Sequence, residues 1–426
     1  MFALPSAMLR DIIEQTAYAG QLNAGASGGG DMADICIIGG GASGMAAAAA
    51  VCMENPGASV CIVEKHGKIG RKLLATGNGR CNFTNTACGN SSEVLDFFSR
   101  LGVKAREEEQ GRVYPYSGRA EDVLSAFESF LSSHGVEIVS DFAAESITAS
   151  SRGGFTVSGG QREITAGKAL IATGGKAGPQ FGCSGDGYRL ARGLGHTVTK
   201  LAPALAPVEC AGDFGKLKGV RAKAAVSLLK KGEVLKTERG EVQFTEYGLS
   251  GICTFNLSRH VSLSGCVFSD YELAADFMPE ASTDDTVLEL KSRMDGLGLP
   301  PSGMLVSLVP GRLAEYILEK AGISSVACEA SEGQIESIAG SLKNLRFTVA
   351  GVKGWKFAQC TSGGIPTSEI NMGTMESKTA KGLYLAGEVI DYDGPCGGYN
   401  LHNAWDTGIK AGRAMASDVQ NQRNKT

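Results

Sequence analysis

The chain of 426 residues is too long for one ordinary core, and its 43% hydrophobic and 20% charged side chains are those of a globular protein of two or three domains. A formal net charge of −4 with no long Lys/Arg block argues against a nucleic-acid partner, and no apolar run approaches the roughly 18 residues of a membrane span. Twelve cysteines form no C-x-x-C pair and the five histidines are scattered, which argues against a zinc site or an iron–sulfur cluster, so no metal is expected.

Residues 1–33 read as a flexible N-terminal extension. Asp11 and Glu14 fall where a signal peptide would be apolar, and the run AGASGGG has linker composition. Two readings of this segment stay open: translation that starts at Met32, or a short helical arm over residues 7–18. Without a secretion signal, the thiols are expected to be reduced and the protein cytoplasmic.

From Asp34 the sequence DICIIGGGASGMAAAAAVCMENPGASVCIVE spells strand, glycine turn, alanine-rich helix and second strand, closed by Glu64. Gly39, Gly41 and Gly44 supply G-x-G-x-x-G, with Ala42 and Ser43 between the last two. The first glycine permits the tight turn, the second lets a pyrophosphate approach the backbone, and the third lets the helix pack close to the strand. The helix N-terminus offers unpaired N–H groups and a positive dipole end to phosphates. Glu64, 20 residues past Gly44, sets a carboxylate where both ribose hydroxyls of an adenosine can donate to it. The glycine motif alone is weak; with both strands, the helix and the acid it marks a dinucleotide-binding unit.

The rest divides as follows. Residues 34–196 form the first part of the cofactor domain, with helical patterns at 93–101 and 121–134 (the second capped by Ser117), a short parallel-type strand at 136–139, a β-meander over 143–164 and a further buried strand at 168–175. Residues 197–280 alternate apolar and polar with frequent turns, which predicts an antiparallel, barrel-like insertion. Residues 281–345 are helical, and 346–426 return through the β layer to the cofactor domain by a last strand, loop and helix. The fold class is thus α/β, a Rossmann-like domain interrupted by a β-barrel and a helical domain.

The blocks GGGASG, KIGRKLLATGNGRCNFTN, ATGG, CTSGGI and LAGEVIDYDGPCGGYNLHNAW resemble a bacterial flavoprotein family that includes aminoacetone oxidases and a 3-dehydro-bile-acid Δ4,6-reductase. The resemblance spans about residues 34–416 and implies non-covalent FAD on an interrupted Rossmann-like domain. FAD needs contacts along its whole length, so Thr173 and Gly174, Gly387 and Glu388, and Gly398, Tyr399 and Asn400 join the first motif as candidate cofactor residues. The last three open a helix whose N-terminus would face the flavin pyrimidine edge. In the glycine loop, Arg71 and Lys72 are candidates to neutralise the pyrophosphate or adenosine end, while Gly77, Asn78, Arg80 and Asn82 run toward the ring.

No second G-x-G-x-x-G with a following acid occurs after Gly175, so NADH or NADPH, if used, reduces the flavin as a transient visitor. Candidate proton donors are Tyr114, Tyr116, Tyr399 and His402, with Tyr392 and Cys396 in the same loops. Three readings follow: an FAD-dependent reductase of a carbon–carbon double bond conjugated to a ketone, of the 3-oxo-Δ4 or Δ4,6 bile-acid or steroid type; an amine oxidase of aminoacetone type that uses oxygen; or a flavin-binding interaction protein. The first two act on a small-molecule substrate.

Overall fold

The computed structural model describes residues 32–151, 153–262, 267–324 and 329–424, so the expectations for residues 1–31 lie outside the described residues. The chain divides into two units, Met1–Met32 and Ala33–Thr426, of which the second is described below.

Strand β1 (Ala33–Ile38), helix α1 (Ala42–Glu54) and strand β2 (Val60–Val63) open the fold, and β1 pairs in parallel with β2 from Ile35 opposite Val60 to Ile38 opposite Val63. Residues 35–38 and 60–63 are all buried, as expected of parallel strands covered on both faces, which is why these runs are continuously apolar. Helix α2 (Arg71–Ala75) follows, then strand β3 (Thr84–Asn85), helix α3 (Ser91–Arg100), and strands β4 (Ala105–Glu107) and β5 (Arg112–Pro115). Strands β3, β5 and β4 make a small antiparallel sheet. Helix α4 (Ala120–Ser133) leads to β6 (Glu137–Val139), which extends the main sheet by pairing in parallel with β2. The N-cap of α4 is Arg119, with no side-chain cap, rather than Ser117.

The meander is β7 (Ser146–Ala149), β8 (Phe155–Gly159) and β9 (Arg162–Ile171). Its last strand and the buried strand expected from Lys168 are one continuous element. The first half of β9 pairs antiparallel with β8, and β9 pairs in parallel with β1 from Ala166 to Ile171.

Past α5 (Asp186–Gly193) and the short β10 (Ala202–Ala204), the chain builds a closed barrel. It comprises β11 (Val208–Cys210), β12 (Arg221–Lys230), β13 (Glu233–Thr245), β14 (Gly248–Ser250), β15 (Tyr271–Asp276) and β16 (Leu345–Val352). Helix α6 (Ile252–Ser262) lies within the stretch read as β; its buried Cys253, Leu257 and Val261 stand four residues apart. Helices α7 (Thr283–Lys291), α8 (Pro301–Met304), α9 (Gly311–Lys320) and α10 (Glu332–Lys343) come between β15 and β16, so the barrel closes only after the helical segment. Barrel and helices share one apolar core, from Val208 to Val349. The Rossmann-like sheet and its helices hold another.

Strand β17 (Cys360–Ser362) pairs with β10, β18 (Leu383–Leu385) pairs in parallel with β9, and the chain reaches α11 (Tyr399–Arg423). Helix α11 lies parallel to α1, in near backbone contact with it. A Cβ on Gly408 would stand 2.4 Å from the Ser43 carbonyl oxygen, and one on Gly412 would stand 2.4 Å from that of Ala47. Near the other end the Asn55 amide donates to the Ala416 carbonyl at 3.3 Å. The buried Trp405 stacks on Phe127 at 5.6 Å and meets Phe98 edge-on at 5.1 Å, locking α11 to α4 and α3. Each such aromatic pair adds roughly 0.5–1.5 kcal/mol beyond the area it buries.

One substitution made in two helices isolates this contact. Gly412→Ala should cost about 1–3 kcal/mol, because the atom it strikes belongs to the backbone of α1 and cannot swing aside. Gly340→Ala in α10, where a Cβ meets nothing within 4 Å, should be neutral or gain up to about 1 kcal/mol. Urea unfolding midpoints at unchanged m-value measure both; equal effects would count against the contact.

Candidate active site

Segments remote in sequence converge on one cleft of about 1090 Å3. At one end is the β1–α1 turn. Gly39 adopts φ +110° and a Cβ there would stand 2.6 Å from the Ala172 carbonyl oxygen, while a Cβ on Gly44 would stand 2.0 Å from that of Gly39. The protein's own packing therefore accounts for these two glycines, and Gly44 serves that packing without lining the cleft. Gly41 is different. It has φ −82°, lines the cleft, and forms the N-cap of α1 with no side-chain cap, yet a Cβ there meets no atom within 4 Å. The space in front of it, at a helix N-terminus, fits a pyrophosphate. Ala42 and Ser43 line the same end. Glu64 also lines it: Oε2 accepts the Gly40 N–H and Oε1 the His66 N–H, each at 3.0 Å, and each oxygen keeps a lone pair for a hydroxyl donor.

Arg71 and Lys72 line the cleft, but neither is a free cation. The Lys72 ammonium lies 2.6 Å from the Glu388 carboxylate, and Arg71 donates to the Gln180 carbonyl at 3.2 Å. Burial works against the charge on Lys72, yet the neighbouring Glu388 outweighs it and the pKa is raised. Glu388 also accepts the Thr361 N–H at 2.8 Å, and the Thr361 hydroxyl accepts the N–H groups of Lys176 and Ala177. One carboxylate thus pins α2 and β17 together, and through Thr361 the turn that carries Thr173 and Gly174, both of which line the cleft.

Toward the other end, Gly77 and Asn78 form a left-handed pair at φ 57° and 56° on the cleft wall. The Asn82 amide donates to the Thr84 and Val113 carbonyls and accepts the Gly398 N–H at 3.2 Å. Gly398 and Asn400 bring the start of α11 to the cleft, and the Asn400 side chain is fixed by two hydrogen bonds to the Gly394 backbone, at 2.7 and 2.9 Å. Gly387 does not reach the cleft: a Cβ there would stand 2.5 Å from the Ser43 hydroxyl, so it is a packing glycine between α1 and the last strand.

Of the four candidate proton donors only Tyr114 lines the cleft, under the Arg80 guanidinium 4.1 Å from its ring centre. Tyr116 is exposed beside Lys104 and Arg106, because β5 ends at Pro115 and its pleat does not continue. Tyr399 is not part of the lining. His402 is buried on the far side of α11, held by the Thr84 hydroxyl at 2.7 Å and the Asn90 amide oxygen at 2.9 Å. Burial lowers its pKa, so it is a neutral, fully bonded imidazole without a proton to give at neutral pH. Tyr392 and Cys396 do line the cleft, and burial raises the pKa of the Tyr392 phenol.

A further part of the lining was not legible in the sequence: Ile252 and Phe255 of α6 with the Arg221–Glu241 pair of the barrel, and Leu205, Phe357 and Ala358 from the segments that enter and leave it. Arg112, two residues before the candidate Tyr114, also lines the cleft and was not among the expected site residues. Among the described residues no His/Cys/Asp/Glu group is arranged to hold a metal, and no helix is long and apolar enough to cross a membrane.

Residues 33–92 and 87–414 match a family described as HI0933-like protein Rossmann domain. The chain is 36% identical over 405 residues to the 3-dehydro-bile acid delta(4,6)-reductase of Clostridium scindens, an alignment that covers 90% of this chain and 98% of that protein. It is 26% identical over 397 residues to a ribosomal RNA dihydrouridine synthase of Haemophilus influenzae, covering 87% and 95%. Among solved structures, a 3-ketosteroid-delta4-(5alpha)-dehydrogenase from Rhodococcus jostii aligns with a TM-score of 0.50 at 15% identity over 92% of this chain and 99% of that one, a likeness of fold.

The open space at Gly41 yields a sharp expectation. Gly41→Val should abolish retention of FAD, read as flavin absorbance after gel filtration. The same variant should cost the apoprotein no more than about 1–2 kcal/mol, the loss of a glycine N-cap, since a Cβ there meets no protein atom within 4 Å. A variant that still retains FAD would refute the cradle.

Proposed function

The chain belongs to the HI0933-like family of FAD-binding Rossmann flavoproteins and is an FAD-dependent oxidoreductase; from that premise we propose that it reduces a carbon–carbon double bond conjugated to a ketone on an apolar, bile-acid- or steroid-type substrate. The observation that carries this reading is the 36% identity maintained over 98% of the Clostridium scindens reductase. The cleft supports it, because a wall of Leu205, Ile252, Phe255 and Phe357 suits a fused-ring hydrocarbon body.

FAD, when bound, supplies the hydride. The protein's residues do the rest. In this reading the N-terminus of α1 in front of Gly41 holds the pyrophosphate and Glu64 takes the adenosine ribose. Gly77, Asn78, Thr173 and Gly174 would hold the middle of the cofactor, and the start of α11 at Gly398 and Asn400 would offer a helix N-terminus to negative charge at its flavin end. Lys72 and Glu388 hold segments together instead of meeting phosphate. The barrel side of the cleft, with Ile252, Phe255 and Phe357, encloses the substrate and excludes water, and Tyr114 or Tyr392 gives the proton. With no second dinucleotide motif, NADH or NADPH would reach the ring through the substrate side of the cleft.

A second reading has its own observation, the dihydrouridine synthase relative. Making dihydrouridine also saturates a carbon–carbon double bond beside a carbonyl, so the two relatives share one chemistry on different substrates. The formal charge of −4 weighs against ribosomal RNA for this chain.

Anaerobic mixing of chemically reduced holoenzyme with a 3-oxo-Δ4,6 bile acid tests the proposal. The expected outcome is rapid flavin reoxidation with loss of the enone chromophore, while an unmodified rRNA fragment leaves the flavin reduced. No reoxidation by the enone, together with fast peroxide formation from aminoacetone in air, would assign the amine oxidase reaction instead. Anaerobic reduction by NADH and NADPH in parallel identifies the electron donor.

A further inference from the structure

We propose that Arg112 receives the carbonyl oxygen of the substrate and stabilises the negative charge that reaches this oxygen during reduction. The inference rests on the enone-reductase reading above and adds to it the residue that polarises the ketone.

Position comes first. Arg112 opens β5, lies opposite Asn85 of β3, and lines the cleft. The Asn85 amide donates at 3.0 Å to both the Gly397 and the Gln110 carbonyls, which fastens this strand pair to the loop entering α11. The Arg112 Nε lies 3.8 Å from where a Cβ on Gly397 would stand. The guanidinium is therefore held beside the loop that leads into α11.

Charge is the second observation. Lys65, Lys72, Arg80 and Arg221 also line the cleft, and each is ion-paired with a carboxylate, of Asp186, Glu388, Glu108 and Glu241 respectively. Among the described residues Arg112 has no such pair; its side chain donates at 2.7 Å to the neutral amide of Gln110. Lys68, Arg71, Arg189 and Lys356 also line the cleft without a carboxylate partner, so it is the place of Arg112 beside the 396–397 turn that sets its unbalanced charge where a substrate oxygen can meet it. Its field is already felt locally: burial pushes the Cys396 thiol up, and Arg112 draws it back.

The third observation is the neighbouring surface. Cys396 and Phe255 pack on a small apolar cluster of Ala204, Leu205 and Cys360. The cationic spot and the apolar wall thus meet at the 396–397 turn, which suits a ligand with a hydrocarbon body and one terminal oxygen.

A hydride adds to the β-carbon with its electron pair, the electrons of the double bond shift to form the enolate, and the oxygen carries the charge beside Arg112. A proton then goes to the α-carbon, so the substrate gains two electrons and two hydrogens while the reduced flavin is oxidised. A guanidinium does not lose its proton in this pH range, so Arg112 is a charge stabiliser and the α-carbon proton must come from another group.

The test compares wild type, Arg112→Gln and Arg112→Lys as FAD-loaded proteins. Two probes are titrated in and followed by flavin absorbance: 2-naphthol at a pH where it ionises, as an enolate mimic, and 2-methoxynaphthalene as its neutral counterpart. Arg112→Gln should retain FAD, lose at least about tenfold in naphtholate affinity and keep its affinity for the methoxy compound, and Arg112→Lys should recover part of the loss. Enone-driven flavin reoxidation should fall about 100-fold in Arg112→Gln. The inference is overturned if wild type binds the naphtholate no better than the methoxy compound, if Arg112→Gln binds it as tightly as wild type, or if that variant loses both ligands equally. A wild type that reduces no enone, combined with selective loss of the naphtholate in Arg112→Gln, would support the cationic site and reject only the choice of reaction.

Discussion

Close parallel packing of α11 on α1 is the constraint from which the rest follows. Two helices can approach to near backbone contact only where side chains vanish, and the chain supplies Gly408 and Gly412 on one and the alanine run on the other. Because the helices run in the same direction, their positive ends emerge on the same side of the molecule. That side is the cleft. The turn at Gly41 and the turn at Gly398 come from opposite ends of the sequence, and this contact is what brings them to one cavity.

Electrostatics in the cleft follow an unusual division of labour. Although basic side chains surround it, two of them are consumed in joining remote segments: Lys72 to Glu388 and Lys65 to Asp186. Such pairs, partly buried, serve geometry more than attraction. In the proposed reading the backbone ends of two helices take over anion binding, with a positive potential that needs no flexible side chain and no entropy to order it.

Several of the turns that line the cleft were legible in the sequence because they are written in local backbone geometry. The turn at Gly39 to Gly44, the acid at Glu64, the ATGG turn and the start of the last helix each depend on residues within a few positions of one another. The pairs that only tertiary structure makes were hidden. Lys72 and Glu388 are 316 residues apart, so Lys72 read as a free phosphate ligand. His402 sat in a cofactor-like block, but its face of the helix points to Thr84 and Asn90. Helix α6 was lost inside an alternating stretch, and the barrel's last strand was hidden behind the helices that precede it. For that reason the apolar wall of the cleft could not be read from spacing.

The register of the two helices has a consequence for what can vary. Gly408 meets Ser43 nine residues into α11 but only one residue into α1, so the second helix overhangs the first by about 12 Å at 1.5 Å per residue. That overhang is a gauge built from main chain. Adding or deleting one residue between Tyr399 and Gly408 would shift the tip by about 1.5 Å and turn it by about 100°, and no side-chain exchange could restore it. Substitutions in this stretch can retune the cleft, but its length is fixed by the glycine that anchors it. The tip of the β12–β13 hairpin carries no such contact, since a Cβ on Gly232 would meet nothing within 4 Å, so its length can vary without disturbing that gauge.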